Sequence, residues 1–333
     1  MHVAVDETYV EVGGQRLRIS SPGKLMFPEQ GWTKMDLVEH YLACGEGALR
    51  GVWGRPCVLK RWNHGVTGEP VFQKRAPKDA LHEYATITFP SGRTADLLVP
   101  RDVADVLWMA QLNCLDLNPW PVRAEHADVP DELRVDLDPT PEVVFADVRR
   151  VALVAHEVLG EHGLVGWPKT SGSKGIHVFV RIVPEWTFTA VRRAALALAR
   201  EVERRLPGVA TTAWWKEERH GVFLDYNQNA RDRTVASAYS VRQTGFVSAP
   251  LAWEEVADVE PADFPMDRFA SARYRVVGDL TRGIDNAAGR IDGLLQLARR
   301  DEAEGLGDAP WPPHFPKQDG EPPRVQPSRR LRQ

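Results

Sequence analysis

The run Arg134-Val135-Asp136-Leu137-Asp138-Pro139 restricts the fold more than any other stretch of this chain. Val135 and Leu137 alternate with Asp136 and Asp138, and successive side chains of a β-strand point to opposite faces. A strand here offers one face to a core and presents two carboxylates on the other. Pro139 cannot donate to a ladder and marks the strand's end. Two like charges on one face repel, and neither has an obvious partner nearby in sequence. A divalent cation would relieve that repulsion, and hard oxygen ligands suit Mg²⁺ or Mn²⁺. Such pairs occur in enzymes that transfer nucleotidyl or phosphoryl groups with two metals. Taken alone, an exposed strand end with two solvated acids is the simpler reading.

The periodicity on either side places this strand in a mixed architecture. Residues 6 to 22 read as a strand pair turning at Gly13-Gly14. A helix is expected from Thr33 to Leu49, opened by a capping box between Thr33 and Asp36. Strands are expected within 55–75 and 84–100, and a helix from Val103 to Leu115. Beyond the acidic strand, a helix from Pro141 to Leu159 would turn Val144, Val148, Val151 and Ala155 to one face. Ile176 to Ile182 alternates as a strand, Thr189 to Leu206 as a helix, and Gly221 to Tyr226 as a strand. A last helix covers Ile284 to Glu304. Strands and helices mix without strict alternation, which predicts an α+β fold with mixed or antiparallel sheets flanked by helices. After Asp308 the chain is Pro-rich and basic, with Arg324, Arg329, Arg330 and Arg332, so residues 309–333 are expected to be extended or disordered.

With 333 residues, the chain can bury one large core or two packed lobes. Its content of 43% hydrophobic and 26% charged residues is ordinary for a soluble protein. No apolar run approaches the ~20 residues of a membrane span. The start, Met1-His2-Val3-Ala4-Val5-Asp6, lacks the basic and apolar regions of a signal peptide. Cys44, Cys57 and Cys114 are too scattered for a disulfide framework or a zinc pair, which fits a reducing cytoplasm. The net charge of -4 argues against bulk nucleic-acid affinity, so local clusters matter more. Lys60, Arg61, Lys74, Arg75 and Lys78 form one such cluster.

Ser171-Gly172-Ser173-Lys174-Gly175-Ile176-His177 joins a small-residue loop to a strand. Ser171, Ser173, Lys174 and the loop's N–H groups can hold a triphosphate. The order and spacing are not those of a Walker loop, and a strand follows rather than a helix. His177 shares a strand face with Phe179 and Arg181, and equally fits a structural histidine. A third acid, Asp225, ends its strand and would complete a set of carboxylates able to bridge two cations. Arg242, in Tyr239-Ser240-Val241-Arg242, offers a guanidinium suited to phosphate.

These elements, in this order, resemble the polymerase domain of bacterial multifunctional DNA ligase D, within the archaeo-eukaryotic primase superfamily, here in a stand-alone form. The resemblance runs from about Ser20 to Arg300. It is carried by Arg61-Trp62-Asn63-His64-Gly65-Val66, Phe72-Gln73-Lys74-Arg75-Ala76-Pro77-Lys78, Asp136-Leu137-Asp138, the Ser171–His177 loop, Asp225 with Gln228-Asn229, Ala238-Tyr239-Ser240-Val241-Arg242 and Val247-Ser248-Ala249-Pro250-Leu251-Ala252-Trp253. It implies a catalytic unit over 1–308, with a DNA-binding portion at about 20–130 packed on a catalytic core at 131–300. It implies that Asp136, Asp138 and Asp225 hold two divalent cations, often Mn²⁺, and that Ser171, Ser173, Lys174, His177 and Arg242 grip an incoming NTP or dNTP. Lys24 and Lys34 fall where the family binds the 5′-phosphate of a gap, and Ser21 stands where the family usually has Asn. Phe72 and Lys74 would meet the template, Phe72 by stacking. Asn118, in Leu117-Asn118-Pro119-Trp120, replaces a family histidine and cannot carry a charge.

The implied function is a monomeric, template-dependent nucleotidyltransferase that fills short gaps in DNA repair, by end joining or excision repair. It would act in the bacterial cytoplasm at the nucleoid. Its partners would be gapped or end DNA with a 5′-phosphate, Ku and a separate DNA ligase, with no membrane. A de novo primase is the alternative enzyme, though replicative primases commonly carry a zinc cluster that this sequence lacks. A non-catalytic end-bridging module would not need three carboxylates beside Lys174 and His177.

Overall fold

A computed structural model describes residues 6–78, 81–318 and 320–325. The first strands, β1 (Glu7–Val12) and β2 (Gln15–Ser20), form the expected antiparallel hairpin. The short pair β3 (Leu25–Phe27) and β4 (Trp32–Thr33) then leads into α1 (Lys34–Ala43), whose Thr33–Asp36 capping box is formed. The single helix expected to Leu49 is instead two, because Cys44 leaves helical geometry (φ -111°, ψ 21°) and starts α2 (Gly45–Val52) in a new direction. Helix α2 then packs closely on the Tyr239 ring, which a Cβ on Gly47 would approach to 2.5 Å.

An N-terminal sheet follows, from β5 (Cys57–Arg61), β6 (Val71–Gln73), β7 (Tyr84–Thr88) and β8 (Thr94–Leu98). Its order is β6-β5-β8-β7. Helix α3 (Val103–Gln111) stops short of Leu115, because Asn113 takes a left-handed φ of 64° just past its end. The short strand β9 (Asn118–Pro119) then pairs with β5.

The acidic run is β10 (Glu132–Pro139). After it come α4 (Phe145–Glu161), β11 (Gly166–Thr170), β12 (Ile176–Arg181), α5 (Phe188–Arg205), β13 (Ala210–Thr211) and β14 (Val222–Leu224). They build a second sheet in the order β11-β12-β10-β14-β13, antiparallel except for β13 on β14. Val135 and Leu137 enter a core with Val148, Val151, Val191 and Leu198 from the covering helices. A separate core joins α1, α2 and α3 to Tyr239, Val241 and Val247, so the chain returns to its first lobe after the second sheet. The α+β reading with mixed and antiparallel sheets holds.

Further along, more of the structure differs from the sequence reading. Helix α4 begins at Phe145, and Val144 is a 62% exposed cap rather than a core residue. The last helix spans only Asp292–Ala303. Gly289 ahead of it exchanges backbone hydrogen bonds with Arg181 and Val183, which commits that segment to the end of β12. The described residues after Asp308 do lack helix and strand, but they are packed: Trp311, Phe315 and Glu321 are buried. The expectation of an extended or disordered tail did not weigh these apolar side chains among the prolines. No helix of the described residues is long and apolar enough to cross a membrane.

Candidate metal and nucleotide site

Strand β10 is the middle of its sheet, and its neighbours deliver the other groups by register. Asp136 lies opposite His177 on β12, and Asp138 opposite Phe223 on β14. Asp225 follows β14 directly, its N–H donating to the Asp136 carbonyl at 2.9 Å. The alternation that buries Val135 and Leu137 sends Asp136 and Asp138 together to the other face. Carboxylate oxygens of Asp136, Asp138 and Asp225 all lie within 4.8 Å of one another.

The electrostatics of this triad are unbalanced. Asp136 is buried, and its Oδ1 receives no hydrogen bond although His177 Nε2 stands 3.1 Å away. Burial pushes the Asp136 carboxyl up to about 6. Asp138 reaches the surface at its outer edge, yet desolvation and the neighbouring Asp136 charge raise it to about 7. Asp225 rises to about 7 through burial and then both other acids. Its oxygens accept from the Asn227 N–H at 3.0 Å and from Gln228 Nε2 at 3.2 Å. A buried orphan oxygen among mutually repelling carboxylates fits hard divalent cations such as Mg²⁺ or Mn²⁺.

Beside the triad opens a cleft of about 460 Å³. It brings together Asp136, Asp138, Ser171, Ser173, Lys174, His177, Arg242, Asn118 and Phe72 from the sequence reading. Lys60, Asp116 and Gln228 line it too. Phe72 is 62% exposed and so is not a core residue of its strand. Lys174 is exposed with no carboxylate partner among the described residues, whereas the Ser171 hydroxyl accepts from the Ser173 and Gly175 N–H groups and so shapes the loop. Arg242 donates to the Ser171 carbonyl at 2.8 Å and stands 3.7 Å from Asp116, which also pairs with Lys60. Asn118 is buried and donates to the Asp116 carbonyl.

Residues 33–281 match the family model described as LigD, primase-polymerase domain. The chain belongs to that family. Its members are DNA-directed nucleotidyltransferases of the primase-polymerase type. The multifunctional non-homologous end joining protein LigD of Mycolicibacterium smegmatis is 30% identical over 310 residues, covering 91% of this chain and 40% of that protein. The bifunctional LigD of Bacillus subtilis is 28% identical over 257 residues, covering 76% of this chain and 41% of that protein. The chain thus spans about two fifths of the length of these relatives. The solved polymerase domain of Mycobacterium tuberculosis Ligase D in complex with DNA matches with a TM-score of 0.75 at 29% identity, covering 83% of this chain and all of that one.

Around this LigD-type cleft, other candidates fall elsewhere. Lys74 is not in the cleft lining: it lies 3.8 Å from Asp232 and over the Phe89 ring at 4.1 Å. Lys24 and Lys34 form a separate cluster with Arg61. Lys24 donates to the Asn63 carbonyl at 2.6 Å, and the buried Lys34 to the carbonyls of Ser20 and Gln111 at 2.8 and 3.2 Å. Burial, then Lys24 and Arg61, lower Lys34 to about 8. Lys34 heads α1 as expected, but its side chain is a buried tie rather than a free charge. Ser21 sits exposed at their edge with φ 50°.

The sequence reading missed Lys169. It is buried opposite His177 on β11 and reaches His177 Nδ1 at 2.7 Å, the Ala236 carbonyl at 2.8 Å and Ser248 Oγ at 2.7 Å. A lysine inside the apolar strand Gly166–Thr170 was its one visible signal.

Proposed function

We propose that this chain fills short gaps at DNA breaks by template-directed nucleotidyl transfer, with Asp136, Asp138 and Asp225 holding two divalent cations. The observation that carries this reading is the triad with its orphaned Asp136 oxygen, two of whose members, Asp136 and Asp138, line a cleft shared with Lys60, Lys174, Arg242 and Phe72. When bound, the cations would lower the pKa of the primer 3′-OH and offset charge on the transferring phosphoryl group. The chain's own groups do the rest. Lys174 and Arg242, with the loop N–H groups after Ser171, hold the triphosphate by charge-assisted hydrogen bonds, and Ser173 and His177 add donors from the same wall. Phe72 and Lys60 stand across the cleft, where an aromatic face stacks on a base of any sequence. Asn118 puts a neutral amide where the family resemblance implies a histidine, so its contact to nucleotide would be a neutral hydrogen bond.

Lys24, Lys34 and Arg61 form the second anchor, for the 5′-phosphate on the far side of the gap. The relatives' names support a role in non-homologous end joining, in which Ku and a DNA ligase activity would act beside it.

Primer extension on a gapped duplex with Mn²⁺ tests the core of this reading. Asp136→Ala combined with Asp138→Ala is expected to abolish extension while DNA binding persists. Extension at the wild-type rate by the double variant would overturn it.

A further inference from the structure

Asp225 is the carboxylate of the triad held by a loop, the turn Tyr226–Asn229, rather than by a strand. Its support runs through Asn227 and Arg192 to a segment beyond 33–281, the span that matches the family model. The Asn227 N–H fixes one Asp225 oxygen, and the Asn227 side chain is itself clamped on both ends. Its Oδ1 accepts from Arg192 Nε at 2.7 Å, and its Nδ2 donates to the Pro310 carbonyl at 3.0 Å. Arg192 is 1% exposed and spends its remaining donors on the same C-terminal segment: Asp308 at 2.7 Å and the carbonyls of Ala309 and Pro310 at 2.8 and 3.1 Å. The Trp311 ring covers that guanidinium at 4.1 Å, a desolvated cation–π contact.

The segment is anchored in turn. Trp311 Nε1 donates to Asp308 at 2.8 Å, and its N–H donates to the buried Glu321 at 2.8 Å. Arg324 closes the turn by donating to Glu321 and to the Phe315 carbonyl. Phe315 and Trp311 pack on Ala230, at the end of the Asp225 turn, and Ala309 packs with Phe223 and Tyr226 on either side of Asp225. Without this segment, a buried guanidinium and a buried amide would lose their partners directly beneath a triad carboxylate.

We infer that residues 308–318 and 320–325 are a strap belonging to the metal site, in which Trp311, Arg192 and Asn227 act as positioning residues for the Asp225 carboxylate toward a divalent cation. The inference rests on the proposed metal role of Asp225. Outer partners that orient a ligating carboxylate typically change metal affinity by about 10- to 100-fold.

Mn²⁺ titration by calorimetry, on the full chain without DNA or nucleotide, tests the strap separately from activity. Asp225→Asn serves as the reference, with thermal unfolding to establish that each variant is folded. Trp311→Ala and Asn227→Ala are expected to weaken Mn²⁺ binding by about tenfold while unfolding cooperatively, and Trp311→Phe to restore most of it. If Asp225→Asn weakens binding but Trp311→Ala and Asn227→Ala bind as wild type, the strap has no such role. If Trp311→Ala fails to fold, Asn227→Ala, which removes only one amide, decides alone. If Asp225→Asn binds Mn²⁺ as wild type, the metal role of Asp225 fails and the strap inference with it.

Discussion

At the scale of single residues, the carboxylates of Asp136, Asp138 and Asp225 set the pH response of the metal-free site. Their pKa values are raised to about 6, 7 and 7 from ordinary values near 4. Between those limits the native state holds protons that the unfolded chain has already released. Stability from these groups is therefore highest below about pH 4 and falls as pH rises toward about 7. A cation removes the penalty only once the acids are ionised. The rise in unfolding temperature on adding Mn²⁺ is thus expected to be small near pH 5 and to grow up to about pH 8. Thermal scans with and without Mn²⁺ across that range would measure it, and an increment independent of pH would contradict the assignment. The pair Asp136–Asp138 was legible in sequence because strand alternation alone puts both on one face. Lys169 was not, because its contact with His177 depends on the pairing of β11 with β12 and its other contacts on residues 67 and 79 positions further along.

At the scale of elements, the triad depends on how tightly the loop into β12 approaches β10. A Cβ on Gly175 would stand 2.1 Å from the Leu137 carbonyl, between Asp136 and Asp138. That obstacle is backbone and cannot rotate away, so Gly175→Ala must push β12 from β10. The expected cost is about 1–3 kcal/mol in urea unfolding, with weakened Mn²⁺ binding. Gly160→Ala is the matched control, since nothing lies within 4 Å of its Cβ position near the end of α4. It is expected to be neutral or stabilising by up to about 1 kcal/mol. Equal losses in the two variants would remove the special status of Gly175. Periodicity located the long helices and the central strands but not their ends, and it left out the short strands β3, β4, β9, β11 and β13. The break at Cys44 and the start of α4 past Val144 are decided by tertiary packing and turn hydrogen bonds, which leave no periodic trace. The packed strap was masked by its own composition, since Trp311 and Phe315 stand among prolines.

At the scale of the whole molecule, a chain of net charge -4 meets a polyanion through local concentration of charge. Lys24, Lys34 and Arg61 crowd together on the first lobe, and their hydrogen bonds run to neutral acceptors, including Gln73 for Arg61. Lys60 and Arg61 are adjacent on β5 and so face opposite ways, one into the catalytic cleft and one toward the lysines. In the proposed function, this arrangement would let a single strand serve both anchors of a gapped duplex. Lys24 is the cleaner probe, because it is only partly buried and ties one carbonyl. Removing one charge-assisted contact to phosphate costs about 1.5–3 kcal/mol, or roughly tenfold or more in affinity. Lys24→Ala is therefore expected to erase most of the preference for a 5′-phosphorylated gap over a 5′-hydroxyl gap, read by fluorescence anisotropy at one fixed salt concentration. Lys34→Ala should do the same while also lowering stability, since the Ser20 and Gln111 carbonyls it joins would lose their shared donor. Equal weakening on both gaps by Lys24→Ala would assign this cluster to general backbone attraction rather than to the 5′-phosphate.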